Sequence, residues 1–199
     1  INNFINDKGF IIEKHSSHAS TIIDNQKLLK PTKENSYAFS FWIYMDNFYE
    51  NMNYWKHVFH KGSLIRENDT IDTSLWKDIE EIVPEQSIGV WMHPNLNNLR
   101  IAFTTNNNYT NLEYLDVENI PSNTLVHCFI NVKDNFIEFY KNGALLNSKV
   151  FKDELLFNDK NLYLTFKKSF DGKLYNLNYI PKHLNFDEIQ SLYNKKPTM

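Results

Sequence analysis

Apolar and polar residues alternate with period two along most of the chain, the spacing that sends successive side chains to opposite faces of a β-strand. Ser36–Asp46 reads SYAFSFWIYMD and places Phe39, Phe41, Ile43 and Met45 on one face, with Ser40, Trp42 and Tyr44 on the other. Leu125–Val132 repeats the pattern, with Val126, Cys128, Ile130 and Val132 in phase. Further strands are predicted at Trp55–Lys61, Ile88–His93, Leu99–Thr105, Phe136–Lys141, Leu145–Phe151, Asn161–Lys167 and Lys173–Ile180. Asn142-Gly143 is a strong short-range hairpin signal, because a type I′ turn requires positive φ at both central residues. Helical spacing is confined to two places. Leu75–Ile82 forms a short candidate inside a polar stretch. At Asn185–Asn194, Asn185 can cap, Glu188 stands three residues on, and Phe186, Ile189, Leu192 and Tyr193 share a stripe.

Many short strands, tight turns and one terminal helix predict an all-β fold: a two-sheet antiparallel jelly-roll sandwich with a short C-terminal helix. Phe39, Phe41, Ile43, Ile101, Phe103, Cys128, Ile130, Val132, Leu162 and Leu164 are the expected filling between the sheets. At 199 residues the chain reads as one domain, 1–199, with an insertion at about 63–87. It starts at Ile1 rather than Met, which predicts a piece of something longer.

Composition narrows the function. Net charge is −3, which disfavours a nucleic-acid binder held by phosphate contacts. A single cysteine excludes an intramolecular disulfide and any multi-cysteine zinc site. No stretch approaches the roughly 20 apolar residues of a membrane helix, so attachment to a membrane would need an anchor outside this segment. Asparagine occurs 28 times against four alanines. It fits turns that need left-handed backbone, and it also fits a genome rich in A and T.

Three segments carry a family likeness. They are SFWIYM at Ser40–Met45 with KHVFHKG at Lys56–Gly62, then VHCFINVKDNFIEFYKNGAL at Val126–Leu145, then FDGKLYNLNYIPKHLNFDEIQSLY at Phe170–Tyr193. Together they resemble the concanavalin A-like lectin/glucanase superfamily, specifically its laminin-G-like jelly-roll domains. WKHVFHKG, the VWMHPN hairpin and the closing FDGKLYNLNY are similar to laminin-G-like proteins of large DNA viruses of protists. That resemblance implies a non-catalytic structural or interaction module of a virion or surface protein. Its partners would be other virion or surface proteins or glycans, and a missing N-terminal segment could anchor it. A glycan-binding lectin and a glycoside hydrolase of the same fold are the alternatives, since this sandwich hosts all three.

The residues themselves rank these readings. Glycosidases of this superfamily carry alternating carboxylates on one strand, one to attack and one to protonate the leaving oxygen. The nearest match, Glu113, Asp116 and Glu118, has the wrong spacing: Asp116 and Glu118 share a face and Glu113 points away. No catalytic residue is assigned. Cys128 lies mid-strand on the apolar face and reads as a small hydrophobe. His57 and His60 are three apart, which on a regular strand separates them, and His15 and His18 sit in a serine-rich loop without a nearby carboxylate. No metal site is assigned. The resemblance makes calcium conceivable as a ligand, with Asp46, Asp116 and Asp171 as acids at strand ends or loops. A sugar site needs an exposed aromatic and planar polar partners. Trp91, Trp42, Tyr44, Asn106 and Asn108 are the candidates, with Trp55 and Asn107 beside them. Trp91 is out of phase with Val90 and Met92, so it faces either a ligand or the Arg66–Gln86 insertion. Sequons occur at Asn68-Asp69-Thr70 and Asn108-Tyr109-Thr110.

Overall fold

The computed structural model describes residues 10–33, 35–65, 77–106 and 108–198. Twelve strands are present among them, and they form two six-stranded antiparallel sheets. One sheet contains β1 (Phe10–Ser16), β3 (Ser36–Asn47), β8 (Leu125–Lys133), β9 (Phe136–Lys141), β10 (Ala144–Val150) and β12 (Asp171–Ile180), in the order β1-β12-β3-β8-β9-β10. The other contains β2 (Thr21–Ile23), β4 (Lys56–Gly62), β5 (Gln86–Met92), β6 (Leu99–Thr105), β7 (Asn108–Val117) and β11 (Leu162–Leu164), in the order β2-β11-β4-β5-β6-β7. Two short helices complete the chain, α1 (Ile79–Ile82) and α2 (Phe186–Tyr193). This is the expected jelly-roll sandwich.

All ten residues expected between the sheets are buried in one continuous core. The period-two phasing of β3 holds: Tyr37, Phe39, Phe41, Ile43 and Met45 face inward. Phe59 lies at the centre, its ring 5.4 Å from Phe39 and 5.1 Å from Phe41. Cys128 is buried among these apolar side chains, and burial pushes its thiol pKa up. It is held as a small hydrophobe.

The outer faces are covered as well. α2 packs on the first sheet through Ile189 and Leu192, against Ala38, Phe129 and Tyr140. Its capping box is formed as read from the sequence, with Asn185 Oδ1 accepting from the Glu188 N–H at 3.0 Å and Glu188 accepting from the Asn185 N–H at 2.9 Å. On the second sheet the insertion lays Ile65, Ile79, Ile82 and Val83 over Trp91. The helix expected at Leu75–Ile82 is shorter than read, four residues from Ile79 with Asp78 capping, and positions 75 and 76 lie outside the described residues.

Turn chemistry explains the asparagines. Among the described residues, seven of the ten non-glycine residues with positive φ are asparagine. Asn142 (φ 51°) and Gly143 (φ 80°) make the expected β9–β10 hairpin turn.

Candidate functional site

The five residues expected to bind a glycan do not form one site. Trp91 is fully buried beneath the insertion, and its Nε1–H donates to Gln86 Oε1 at 2.9 Å. The insertion, not a ligand, occupies its outward face. Trp42 is 3% exposed because α2 covers it, with Tyr193 stacked at 5.7 Å and His127 at 4.9 Å. Trp42 and Trp91 therefore lie on the outer faces of opposite sheets and cannot share a sugar. Tyr44 is half-buried beside Lys173. Asn106 follows β6 and donates to Glu154 Oε2 at 3.2 Å. Asn108 starts β7, and its side chain, Asn107 and the Asn68 sequon lie outside what is described. Trp55 is 7% exposed and packs with Tyr114 around the Arg100 guanidinium, 4.7 and 4.5 Å from the two rings.

The acids and histidines are spoken for. Arg100 grips Asp116 with two bonds of 2.7 Å, and Lys149 lies 3.6 Å from Glu113. Glu118 lines a separate groove at the sandwich edge. Of the acids suggested for calcium, Asp116 pairs with Arg100, Asp171 lies 3.2 Å from His18, and Asp46 lies 3.7 Å from Lys173. They do not converge. Among the described residues, no group of three or more His, Cys, Asp and Glu is placed to hold a metal.

A further sequence expectation is overturned. His57 and His60 are not separated: Nε2 of His57 is 2.8 Å from Nδ1 of His60. A register shift between His57 and Phe59 is the cause. The extra residue lets Val58 and Phe59 both enter the core, so the histidines on either side both face outward. The Phe166 N–H donates to His57 Nδ1 at 3.0 Å, and His60 Nε2 lies 2.9 Å from the Ser63 carbonyl. The donors run in one direction only if both rings are neutral with the proton on Nε2. Burial holds both pKa values down, that of His60 to about 4. His15 and His18 also part, since His15 Nε2 sits 2.6 Å from Thr165 Oγ1.

Sequence reasoning missed an open concave surface, which loops build at one end of the sandwich. The cleft is about 550 Å³. Asp46 and Asn47, at the end of β3, form one wall, followed by Phe48 and Tyr49. The β5–β6 hairpin supplies Asn95, Leu96 and Asn97, and the β7–β8 loop supplies Ser122 and Asn123. Tyr49 is 73% exposed and Leu96 52%. Backbone bonds fix the loops to one another: the Ile120 N–H donates to the Asn97 carbonyl (2.7 Å) and the Asn123 N–H to the Met45 carbonyl (2.8 Å).

Lys56 pins the cleft from below. Its ammonium is nearly inaccessible, donates to the carbonyls of Phe48 (2.9 Å) and Pro94 (3.2 Å), and lies 4.2 Å from the Phe48 ring centre. It ties the β3–β4 loop to the β5–β6 hairpin. Burial draws its pKa down to about 8, against a raising effect from Glu50. Asn51 and Asn53 take the left-handed backbone that the β3–β4 loop needs, and Asn119 and Asn123 do so in the β7–β8 loop. The sequence signal was there, as asparagine clusters at 47–53, 95–98 and 119–123. Only the fold brings them to one end.

Two covered sheets and an open, aromatic- and amide-lined loop end define a concanavalin A-like β-sandwich. The chain belongs to the concanavalin A-like lectin/glucanases superfamily, whose laminin-G-type model matches residues 16–190. No curated protein sequence matches it. Among solved structures it is similar to the receptor-binding domain of botulinum neurotoxin D (TM-score 0.62, 16% identity, 96% of this chain and 45% of that one). It is also similar to the binding domain of Paraclostridial Mosquitocidal Protein 1 (TM-score 0.63, 15% identity, 96% and 46%). A third is the serotype D ligand-binding domain in complex with N-acetylneuraminic acid (TM-score 0.62, 15% identity, 98% and 43%). The chain spans less than half the length of these proteins, and at such identity the likeness is one of fold.

Proposed function

We propose that this chain is a non-catalytic recognition module that binds glycans through the loop-end cleft. The observation that carries the reading is the cleft itself, where an exposed tyrosine ring stands among carboxamides and one carboxylate, on the end of β3 and on loops cross-braced by backbone bonds. Saccharide sites combine these parts, a flat apolar surface and convergent planar polar groups. Receptor-binding roles of the structural neighbours support a binding reading. Of the acids weighed for a hydrolase, Glu113 and Asp116 pair with Lys149 and Arg100, and Glu118 lines a different groove. A protein ligand is the second reading, favoured by the exposed Tyr49, Met52 and Leu96 around the same loops. Placement on a virion or cell surface, among other surface proteins, rests on the sequence likeness alone.

The test is a glycan array probed with the purified domain, with calcium and again with a chelator, alongside a reducing-sugar assay on the glycans retained. Reproducible retention of a related set without hydrolysis is expected. A blank array with folded protein would overturn glycan binding, and steady sugar release would overturn the non-catalytic reading.

A further inference from the structure

We propose that the loop-end cleft selects uncharged, hydroxyl-rich saccharides and rejects anionic ones such as sialylated or sulfated glycans. The inference rests on the glycan-binding reading above and adds the class of ligand. It follows from a charge inventory of the cleft. Its lining holds one charged side chain, the Asp46 carboxylate. Lys173, across the strand pair from it, lies 3.7 Å from Asp46 Oδ2 and is committed to that acid. Lys56 is committed beneath the loops to two backbone carbonyls. His93 offers no cation either. Its Nδ1 accepts from the N–H groups of Asn95 (3.1 Å) and Leu96 (3.0 Å), so a proton there would break the hairpin's own bonds. Burial and then Arg100 lower its pKa, which disfavours the charged ring in the same sense as these two bonds.

A sialic acid or sulfate group entering this cleft meets a carboxylate and, among the described residues that line it, no free cation, which is rejection by an unpaired like charge. A neutral sugar meets the reverse. Its hydroxyls can donate to Asp46. Its oxygens can accept from carboxamides, because the side chains of Asn97 and Asn123 bond to nothing else in the described chain. Asn47 and Asn95 spend only their Oδ1 atoms internally, on the N–H groups of Tyr49 and Asn53. Tyr49 presents its ring to the apolar face of a pyranose. The preference is the opposite of that implied by the N-acetylneuraminic acid bound to one structural neighbour.

The experiment compares matched glycans, N-acetyllactosamine with its sialylated and sulfated forms plus mannose- and glucose-terminated oligosaccharides. The probes are the wild-type chain, Tyr49→Ala and Asp46→Asn, each checked by thermal melting. Wild type is expected to prefer neutral forms by about tenfold or more, and Tyr49→Ala to lose about tenfold in affinity for them. Asp46→Asn should narrow the gap between neutral and anionic partners. Preference for the sialylated or sulfated forms, or an unchanged gap in Asp46→Asn, overturns the proposal. Neutral binding untouched by Tyr49→Ala leaves a glycan-binding domain but removes this cleft as its site. No binding to any glycan overturns the underlying reading as well.

Discussion

Acid should destabilise this domain well before its carboxylates titrate. The main cause is three fully buried histidines, and His15, His93 and His183, whose pKa values burial also lowers, act in the same direction. His57 and His60 form the bonded pair under the insertion, with Tyr163 stacked on His60 at 4.8 Å. His127 sits between Trp42 and Tyr193, its Nε2 2.9 Å from Ser40 Oγ and its Nδ1 without a hydrogen-bond partner among the described residues. Burial lowers the pKa of His60 and of His127 to about 4, and that of His57 well below its usual value of 6.5. A histidine with a depressed folded pKa binds its proton more readily in the unfolded chain. Its contribution is complete above pH 6.5, falls as pH drops from 6.5 toward 4, and is flat below that.

Between pH 7 and 4.5 each of His60 and His127 should therefore remove about 2–3 kcal/mol, or roughly 5 kcal/mol together, at about 1.4 kcal/mol per pKa unit. His57 adds to this in the same direction. That is a large share of the 5–15 kcal/mol typical of a folded domain. Urea unfolding followed by tryptophan fluorescence at half-unit steps from pH 7 to 4.5 measures it. At a slope of roughly 2.5 kcal/mol per molar urea the midpoint should fall by about 2 M. The window stops above most carboxylate titration, so histidines dominate the change. His127→Asn should flatten part of the slope. A midpoint constant across the window would refute the neutral burial of these rings.

Four further outcomes follow from the packing. Trp42→Ala removes the ring on which Tyr193 stacks and should cost about 3–5 kcal/mol in urea unfolding, with glycan retention of the folded fraction unchanged. Lys61→Met deletes a buried ammonium that bonds to Asn25 Oδ1 and to the carbonyls of Asn158 and Lys160. Leaving those acceptors unpaired should cost about 3 kcal/mol by the same assay, and a loss below about 1 kcal/mol would contradict the buried network. Gly143→Ala forces a Cβ to within 2.8 Å of Tyr193 at φ +80° and should lower the melting temperature by several degrees. Cys128 should resist a thiol reagent in the native chain and react quickly in urea; rapid native labelling would show that its strand opens locally.

The inward faces were legible because each depends only on local alternation. Phe39, Phe41 and Ile43 need no knowledge of their partners to be placed. The same holds for the Asn142-Gly143 turn and the Asn185–Glu188 capping box, which are short-range devices. What lay outside sequence reach was set by partners far along the chain. Trp42 and Trp91 both point outward as the phase says, but outward does not mean exposed when α2 and the insertion lie on top. His57 and His60 meet because of one extra residue in a strand pair, and a bulge leaves no mark in the alternation of seven uniformly buried residues. The cleft joins the chain near 46, 95 and 122, and no motif connects three loops so far apart.

The placement of the cleft has a structural reason. A two-sheet sandwich can receive a ligand on an outer sheet face, along an open edge, or at a loop end. Here α2 takes the centre of one outer face through Ala38, Phe129 and Trp42, and the insertion takes the other over Trp91. At the edge where β7 and β10 meet, Lys149 Nζ donates to the Tyr114 carbonyl and Asn147 Nδ2 to the Asp116 carbonyl, 2.9 and 3.2 Å away. These side chains cap alternate carbonyls of β7 that a foreign strand would need. On β10 a register shift between Leu145 and Asn147 breaks the ladder, and Asn147 Oδ1 occupies the Ser148 N–H. The loop end is different. Its backbone bonds are made internally while the side chains of Asn97, Asn123 and Tyr49 are left outward. The frame beneath them is fixed by Lys56. Releasing that frame should therefore weaken binding without touching a lining side chain. Lys56→Met keeps the apolar stem and loses both carbonyl bonds. It should lower glycan affinity several-fold while Asp46 and Tyr49 remain in place, and Lys56→Arg should recover part of the loss. Equal affinity in wild type and Lys56→Met, measured by titration calorimetry on the folded proteins, would show that the cleft does not depend on its buried ammonium.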